Sequence, residues 1–390
     1  MPRPMLRKFN KLLTALAVAS VAPTTLFAAD APEAPKYTGP SLADVIAGSG
    51  LTINGYADVA YSYLNSSGLF TSGVPSRVFD TEPSSFNLHQ AALTVGYQPK
   101  DGFGGLVNLT AGRDARVIKS YDTTTNDFDV TQAFIQYAHG PLTLMAGKYV
   151  TLAGAEVINS TTDFTYSRSI LFGYAIPFTH TGVRATYAVT DTVNVLVGLN
   201  NGWDQLKDAN KQKTVELGVA YAPIKAFTLA AQGYSGTEQV GGPTDTVGGR
   251  RDLIDIVATY VATDQFTFIL NYDWGSQENV TSTDGGTFKA KWDGIAGYVN
   301  YQIADQWRLS VRGEYFDDKN GYRTGVPQKW KEGTVDLVYL PVKAVEIRAE
   351  VRGDFSDQHA FVDNVATFLA TGDSTKKNQT SFGLEGIFKF

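Results

Sequence analysis

From Leu51 to the last residue the chain repeats one pattern, in which apolar and polar side chains alternate through short segments separated by turn-forming residues. A period of two is the period of a β-strand, so the pattern dictates a sheet whose two faces meet different surroundings. In 307–316, Trp307, Leu309, Val311 and Tyr315 share one face, and Arg308, Ser310, Arg312 and Glu314 share the other. Segment 345–354 sets Val345, Ile347, Ala349 and Val351 against Glu346, Arg348, Glu350, Arg352 and Asp354. Apolar faces also recur as Val193, Val195, Val197 and Leu199, and as Phe266, Phe268, Leu270, Tyr272 and Trp274. The composition agrees: 38 Gly, 20 Tyr and 22 Phe against 3 Met favour strands and tight turns over a helical core. With no cysteine there is neither a disulfide framework nor a thiolate metal site.

Alternation alone also fits a soluble sandwich of two sheets. The aromatic residues separate the two cases. Tyr97, Tyr137, Tyr221, Phe227, Phe266, Tyr301, Trp307 and Tyr339 all lie beside short turns, as an interfacial girdle requires. The connections also alternate in length. Short ones fall near Pro99-Lys100-Asp101-Gly102, His139-Gly140-Pro141, Thr190-Asp191, Pro223-Ile224-Lys225, Thr263-Asp264, Ala304-Asp305 and Pro341-Val342-Lys343. Long polar stretches lie between them, near 65–85, 113–128, 150–177, 201–212, 236–250, 275–288, 318–329 and 356–377. No segment after the N-terminus is long and apolar enough for a membrane helix. A membrane-spanning chain of this kind must therefore close its sheet, because lipid offers no partner to an unpaired strand edge. The expected fold is all-β: a transmembrane antiparallel β-barrel over residues 51–390. It has about 16 strands, short periplasmic turns and long extracellular loops, a size that leaves an aqueous lumen.

The N-terminus predicts how such a chain reaches its membrane. Arg3, Arg7, Lys8 and Lys11 precede an apolar run from Leu12 to Ala22, and small residues follow to Ala29. This is the pattern of a secretory signal over residues 1–28, with Ala28 and Ala29 both meeting the requirement at the cleavage site. Residues 29–50 form a Pro-rich linker and then a short helical stretch, Ser41 to Gly48, on the periplasmic side, where it either plugs the barrel end or hangs in the periplasm. Removal of the signal takes the formal charge from −6 to −10, which disfavours nucleic acid as a partner. The expected location is the outer membrane of a Gram-negative bacterium, among its lipids and lipopolysaccharide.

Chemistry of other kinds finds little footing. His89, His139, His180 and His359 are far apart, with no paired spacing for zinc and no Gly-x-Ser-x-Gly elbow. The acidic stretches Asp122 to Asp129 and Asp284-Gly285-Gly286 lack the spacing of a calcium loop. No metal, cofactor or catalytic set is expected.

The ending Phe382-Gly383-Leu384-Glu385-Gly386-Ile387-Phe388-Lys389-Phe390 resembles the closing strand of outer-membrane barrels, an alternating strand with a final aromatic. The 150–177 stretch resembles the third long loop of general porins, which folds into the lumen and narrows it. That likeness implies a homotrimer and a constriction carrying Glu156, Asp163 and Arg168. It sets the two acids opposite lumen-facing Arg184, Arg308, Arg312, Arg348 and Arg352, where either a transverse field selects solutes by charge and dipole or the charges simply pair with one another across the wall and solvate the lumen. A basic ladder of Arg308, Arg312, Arg348 and Arg352 on the lumen face would favour anions locally, but Glu314, Glu346, Glu350 and Asp354 interleave with it and predict weak ion selectivity. The run Tyr166-Ser167-Arg168-Ser169-Ile170-Leu171-Phe172-Gly173-Tyr174-Ala175-Ile176-Pro177-Phe178-Thr179-His180-Thr181-Gly182-Val183 resembles the family of β-barrel porins described as OmpL-like, as do Ala146-Gly147-Lys148-Tyr149 and Gly55-Tyr56-Ala57-Asp58. That resemblance spans most of the chain after the signal and implies an outer-membrane porin. The expected function is passive diffusion of small hydrophilic solutes or ions. The alternatives are a barrel scaffold for surface binding, as an adhesin or phage receptor, and an outer-membrane enzyme. Independently of the resemblance, the apolar Ile170, Leu171 and Phe172 in a loop require a barrel wall or a neighbouring subunit to pack against.

Overall fold

The computed structural model describes residues 48–65, 76–121, 123–124, 126–239, 248–282, 285–362, 371 and 376–390. The signal segment 1–28 with its cleavage site, and the linker up to residue 47, lie outside the described residues. Among the described residues sixteen strands follow one another: β1 (Thr52–Leu64), β2 (Phe86–Tyr97), β3 (Gly102–Ala111), β4 (Phe128–His139), β5 (Leu142–Val150), β6 (Thr179–Thr190), β7 (Val193–Asn200) and β8 (Thr214–Ile224), then β9 (Phe227–Gln239), β10 (Gly248–Val261), β11 (Phe266–Thr281), β12 (Thr287–Ala304), β13 (Trp307–Asp318), β14 (Gln328–Val342), β15 (Val345–Ser356) and β16 (Asn378–Lys389). Each pairs antiparallel with its sequence neighbour, and β1 pairs with β16 from Tyr56↔Lys389 to Leu64↔Ser381, so the sheet closes. Closure continues past the last strand: Gly55 and Phe390 exchange backbone N–H···O bonds, both 2.9 Å long.

The polar face of the alternation is the one that is buried. Along β15, Glu346, Arg348, Glu350, Arg352 and Asp354 are buried while Ala349, Val351 and Phe355 are exposed. Along β14, Glu332, Thr334 and Asp336 are buried while Val335 is 47% exposed. A water-soluble sheet sorts its residues the other way. Here the exterior must meet hydrocarbon and the interior is polar, as in a membrane barrel. The short connections gather at one end with the first residues of β1 and the last of β16. That end carries cross-strand aromatic pairs: Phe266 with Tyr301 (ring centroids 4.4 Å apart), Trp307 with Tyr339 (4.6 Å) and Phe103 with Tyr137 (4.9 Å). Such pairs suit a membrane–water boundary, where one part of a ring is apolar and the other wet.

The long connections occupy the opposite end, and the one between β5 and β6, residues 151–178, turns inward. With no regular ladder of its own beyond a 3-10 turn (Ser160–Thr162) and a π turn (Leu171–Ala175), it depends on other elements for about half of its backbone partners. Its Ile170, Leu171, Phe172, Ala175 and Ile176 are buried in an apolar cluster inside the barrel. Phe79 from the β1–β2 connection, Ile118 from the one-turn helix α1 (Ala115–Ile118) and Trp292, Phe316 and Trp330 from β12, β13 and β14 complete that cluster. Of the two neighbours the sequence allowed for this apolar run, it is the barrel's own wall and loops that meet it.

Candidate functional site: the docked third loop

The loop leaves the wall through a narrow neck, where Thr151 N–H donates to the Phe178 carbonyl at 2.9 Å. From there the wall treats the loop backbone as a ligand. Carboxylates of β10, β13, β14 and β15 accept its amide N–H groups. Asp255 takes Gly154 (3.0 Å), Asp336 takes Tyr166 (2.8 Å), Glu350 takes Ser167 (2.9 Å), and Glu314 takes Ile170 and Leu171 (2.7 and 3.1 Å). Guanidinium groups take its carbonyls. Arg348 donates to Ser160, Asp163 and Thr165 (2.9, 2.8 and 3.1 Å), Arg312 to Ser167 (2.6 Å) and Arg352 to Arg168 (2.6 Å). Each of these buried backbone groups would carry a desolvation penalty of about 1–3 kcal/mol without a partner, so the charge ladder is what makes an irregular loop tolerable inside the barrel.

Two glycines let the loop approach closely. A Cβ on Gly294 of β12 would come within 2.8 Å of Leu171, and one on Gly383 of β16 within 2.5 Å of the Tyr166 ring. The Trp292 indole N–H donates to the Ala175 carbonyl at 3.1 Å, and Phe79, Phe172 and Phe178 pack ring against ring at 5.3–5.7 Å.

Of the two arrangements the sequence leaves open for these charges, paired contact is the one found. Glu156 touches Arg312 at 2.7 Å and accepts the Ser169 N–H at 2.6 Å. Asp163 pairs with Arg168 of the same loop at 2.9 Å. Arg168 also donates to the Val157 and Ile158 carbonyls (3.2 and 2.9 Å), so all three loop residues hold the loop's shape. On the wall, Arg312, Arg348 and Arg352 are under 2% exposed. Arg312 bridges Glu156 and Glu332 (3.0 Å), Arg348 bridges Glu346 (2.8 Å) and Glu385 (3.0 Å), and Arg352 reaches Asp354 (2.7 Å). Arg308 sits beside Glu346 at 2.8 Å and over the Phe164 ring at 5.3 Å. Arg184 is not part of this group. It lies on β6, paired with Glu216 of β8 at 2.7 Å and stacked 4.1 Å from the Tyr149 ring. His180 is a packing residue, buried and stacked on Tyr234 with ring centroids 4.9 Å apart.

Several participants carry no separate signal in the sequence. Arg77 of the β1–β2 connection reaches Asp354 at 3.1 Å and also contacts Asp80, clamping that connection onto the same wall. His89 and Asp114 (3.1 Å) meet the Tyr166 hydroxyl (3.3 Å from the imidazole) on the β2 side of the loop. For Glu332 and Asp336 a signal does exist, since both share the inner parity of β14 with Thr334. Nearer the short-turn end the inner face of β2, β3 and β4 differs in kind. Inward-facing Thr94, Asn108 and Gln136 on β2, β3 and β4 keep part of their surface open. The barrel interior is therefore asymmetric: the loop occupies the charged wall of β10 and β13–β15, while β2–β4 present the half-exposed neutral groups Thr94, Asn108 and Gln136 beside a buried Lys148–Asp129 pair (2.9 Å).

Comparison with known proteins gives a consistent picture. A family profile described as "Putative beta-barrel porin-2, OmpL-like" matches residues 50–390. No curated protein matches the sequence significantly. Among solved structures, the outer-membrane channel DcaP of Acinetobacter baumannii superposes with a TM-score of 0.61 at 11% identity, covering 87% of this chain and 97% of that one. The anion-selective porin from Comamonas acidovorans gives 0.59 at 12% identity over 87% and 99%. The trimer form of OmpT, an outer-membrane protein of Vibrio cholerae, gives 0.58 at 14% identity over 87% and 99%. At these identities the likeness concerns the fold.

Proposed function

The chain belongs to the OmpL-like β-barrel porin family, and from that premise we propose that it conducts small hydrophilic solutes or ions passively across the outer membrane. The observation that carries this reading is the asymmetric interior of a closed sixteen-strand barrel. One wall is occupied by the docked loop, while the β2–β4 wall keeps accessible neutral polar groups that can exchange hydrogen bonds with water and solute. The passage runs along that second wall, and the loop sets its width. Because Glu156, Asp163 and the arginines of β13 and β15 neutralise one another by contact, their net field on a passing ion is small, which supports weak ion selectivity.

The same reading makes residues 1–28 a secretory signal, 29–50 a periplasmic linker and the long-loop end extracellular. A homotrimer, embedded in outer-membrane lipid and lipopolysaccharide, is the assembly we propose. The test is planar-bilayer conductance of the refolded protein beside a variant lacking part of 156–172. Discrete steps that grow on deletion support the reading. Silence of both proteins overturns it and favours a scaffold whose loops bind a partner.

A further inference from the structure

Two arginines stand apart from the rest of the charge network. Every other described arginine has a carboxylate oxygen within 4.0 Å, from Arg77 with Asp80 to Arg352 with Asp354. Arg251 and Arg323 have none among the described residues. Both lie at the long-loop mouth, Arg251 on the inner face of β10 near its start and Arg323 on the connection between β13 and β14. They flank the same rings: the Arg251 guanidinium is 4.9 Å from the centre of Trp203 and 5.8 Å from that of Tyr322, and that of Arg323 is 5.7 and 5.9 Å from the same two. Arg323 also lies 5.3 Å over Trp292, whose indole meets Trp203 edge to face at 6.4 Å.

The acids nearby, Asp318, Asp204 and Glu238, act on the two arginines through space but spend their oxygens on other donors. Asp318 accepts the backbone N–H groups of Arg323 and Thr324 (2.9 and 2.7 Å), Asp204 those of Phe178 and Thr179 (both 2.8 Å), and Glu238 the Trp203 N–H and the Thr214 hydroxyl (3.2 and 2.7 Å). The indoles hold the guanidinium planes, and a few neutral bonds hold their inner edges. Arg251 donates to the Gln277 side chain and the Tyr322 hydroxyl, both at 2.6 Å, and Arg323 donates its Nε–H to the Tyr174 carbonyl of the docked loop. The terminal nitrogens of Arg323 donate no hydrogen bond to a described residue, and the residue is half-buried rather than sealed. Two like charges so placed raise each other's energy. Burial, and then Arg251, hold the Arg323 pKa below its ordinary value. Stacked, pre-oriented guanidinium forks with no carboxylate in direct contact suit a planar or tetrahedral oxyanion, which they hold by paired N–H···O bonds.

We propose that Arg251 and Arg323 form an oxyanion-binding site at the mouth of the barrel that takes the carboxylate or phosphate group of a small solute. Capture for passage rests on the channel reading above, whereas binding itself does not. The site joins the docked loop to the mouth through Tyr174, so an occupied site lies directly above the constriction.

Trp203 and Trp292 make binding visible without any ion current. The refolded full chain in detergent is titrated with sodium succinate and with sodium phosphate at constant ionic strength set by chloride, and tryptophan fluorescence is followed. A saturable change with half-saturation on the order of 1 mM is expected for at least one probe, and which probe responds assigns carboxylate or phosphate. Arg323→Gln and Arg251→Gln should each weaken it by about tenfold or more, and Arg323→Lys, which keeps charge but not the fork, by less. Heat-modifiable gel migration identifies the variants that remain folded, and Arg251→Gln decides the matter if Arg323→Gln does not fold. A flat wild-type titration with both probes overturns the proposal, as does a response that folded Arg→Gln variants retain. A positive titration from a barrel silent in bilayers would sink the channel reading and leave this site standing.

Discussion

Replacing Arg312 by glutamine removes the most heavily bonded of the groups that tie the third loop to the β13–β14 wall. Its guanidinium donates to Glu156 (2.7 Å), the Ser167 carbonyl (2.6 Å) and the Thr165 hydroxyl (2.9 Å) on the loop, and to Glu332 (3.0 Å) and Thr334 (3.3 Å) on the wall. Removing one partner from a buried ionic network costs about 3–5 kcal/mol, since the remaining charges stay desolvated. Roughly half of these contacts are to the loop, so about 2 kcal/mol should fall on loop docking and the rest on the wall. That corresponds to an increase of about 30-fold in the undocked population. Proteinase K nicking between residues 151 and 178 of the folded barrel reports that population when reclosing is faster than cleavage. Nicking of Arg312→Gln should accelerate by about that factor, with larger single-channel steps, while the barrel keeps its folded gel mobility. Lys289→Gln, which breaks an exposed pair with Glu278 (3.3 Å) away from the loop, is the control and should leave nicking unchanged. If the Arg312 variant stays folded and is nicked no faster than wild type, the charge ladder is not what holds the loop.

Three further outcomes follow from the geometry. Val335→Arg, on the exterior of β14, should destabilise the barrel by about 2–4 kcal/mol in urea unfolding from lipid vesicles, because that face meets hydrocarbon. Deleting Phe390 removes the reciprocal backbone pair with Gly55 that extends the β1–β16 seam. The folded fraction on refolding, read by heat-modifiable migration, should fall, and an unchanged yield would show that the seam tolerates its loss. In the β7–β8 connection, burial pushes the Asp204 carboxyl up to about 6, against the pull of the Thr179 and Phe178 N–H groups. Its folded pKa lies above the unfolded value of about 3.9, so its contribution is fully present below that value and is lost as pH rises through about 6. Resistance to thermal unfolding should therefore fall from pH 5 to pH 7.5 through this group, and Asp204→Asn should flatten that part of the profile.

Parity was legible from the chain alone. The alternation of Trp307, Leu309 and Val311 with Arg308, Ser310 and Arg312 assigned each residue to one of two faces. The lengths of the connections assigned the two ends, and the apolar Ile170-Leu171-Phe172 within a long polar loop announced that this loop could not lie in water. Those inferences are local, because the two-residue period of a strand and the chemistry of a turn are written within a few consecutive residues. Seeing which buried charge meets which was beyond such reasoning. Glu314 accepts from Ile170 across 144 residues, Arg312 reaches Glu156 across 156, and Arg184, of the same inward parity, finds Glu216 on another wall. The convergence of Arg251, Arg323, Trp203 and Trp292 at the mouth is equally invisible along the chain, since they come from β10, β12 and two separate connections. The sequence by itself thus determined a closed sheet with an apolar exterior and a charged interior, since lipid outside and polar surroundings inside demand that sorting of every strand. Only the tertiary structure decided that the interior charges grip a loop rather than face open water, because strand register and the loop's path set which partners come within hydrogen-bonding distance, and no local pattern encodes either.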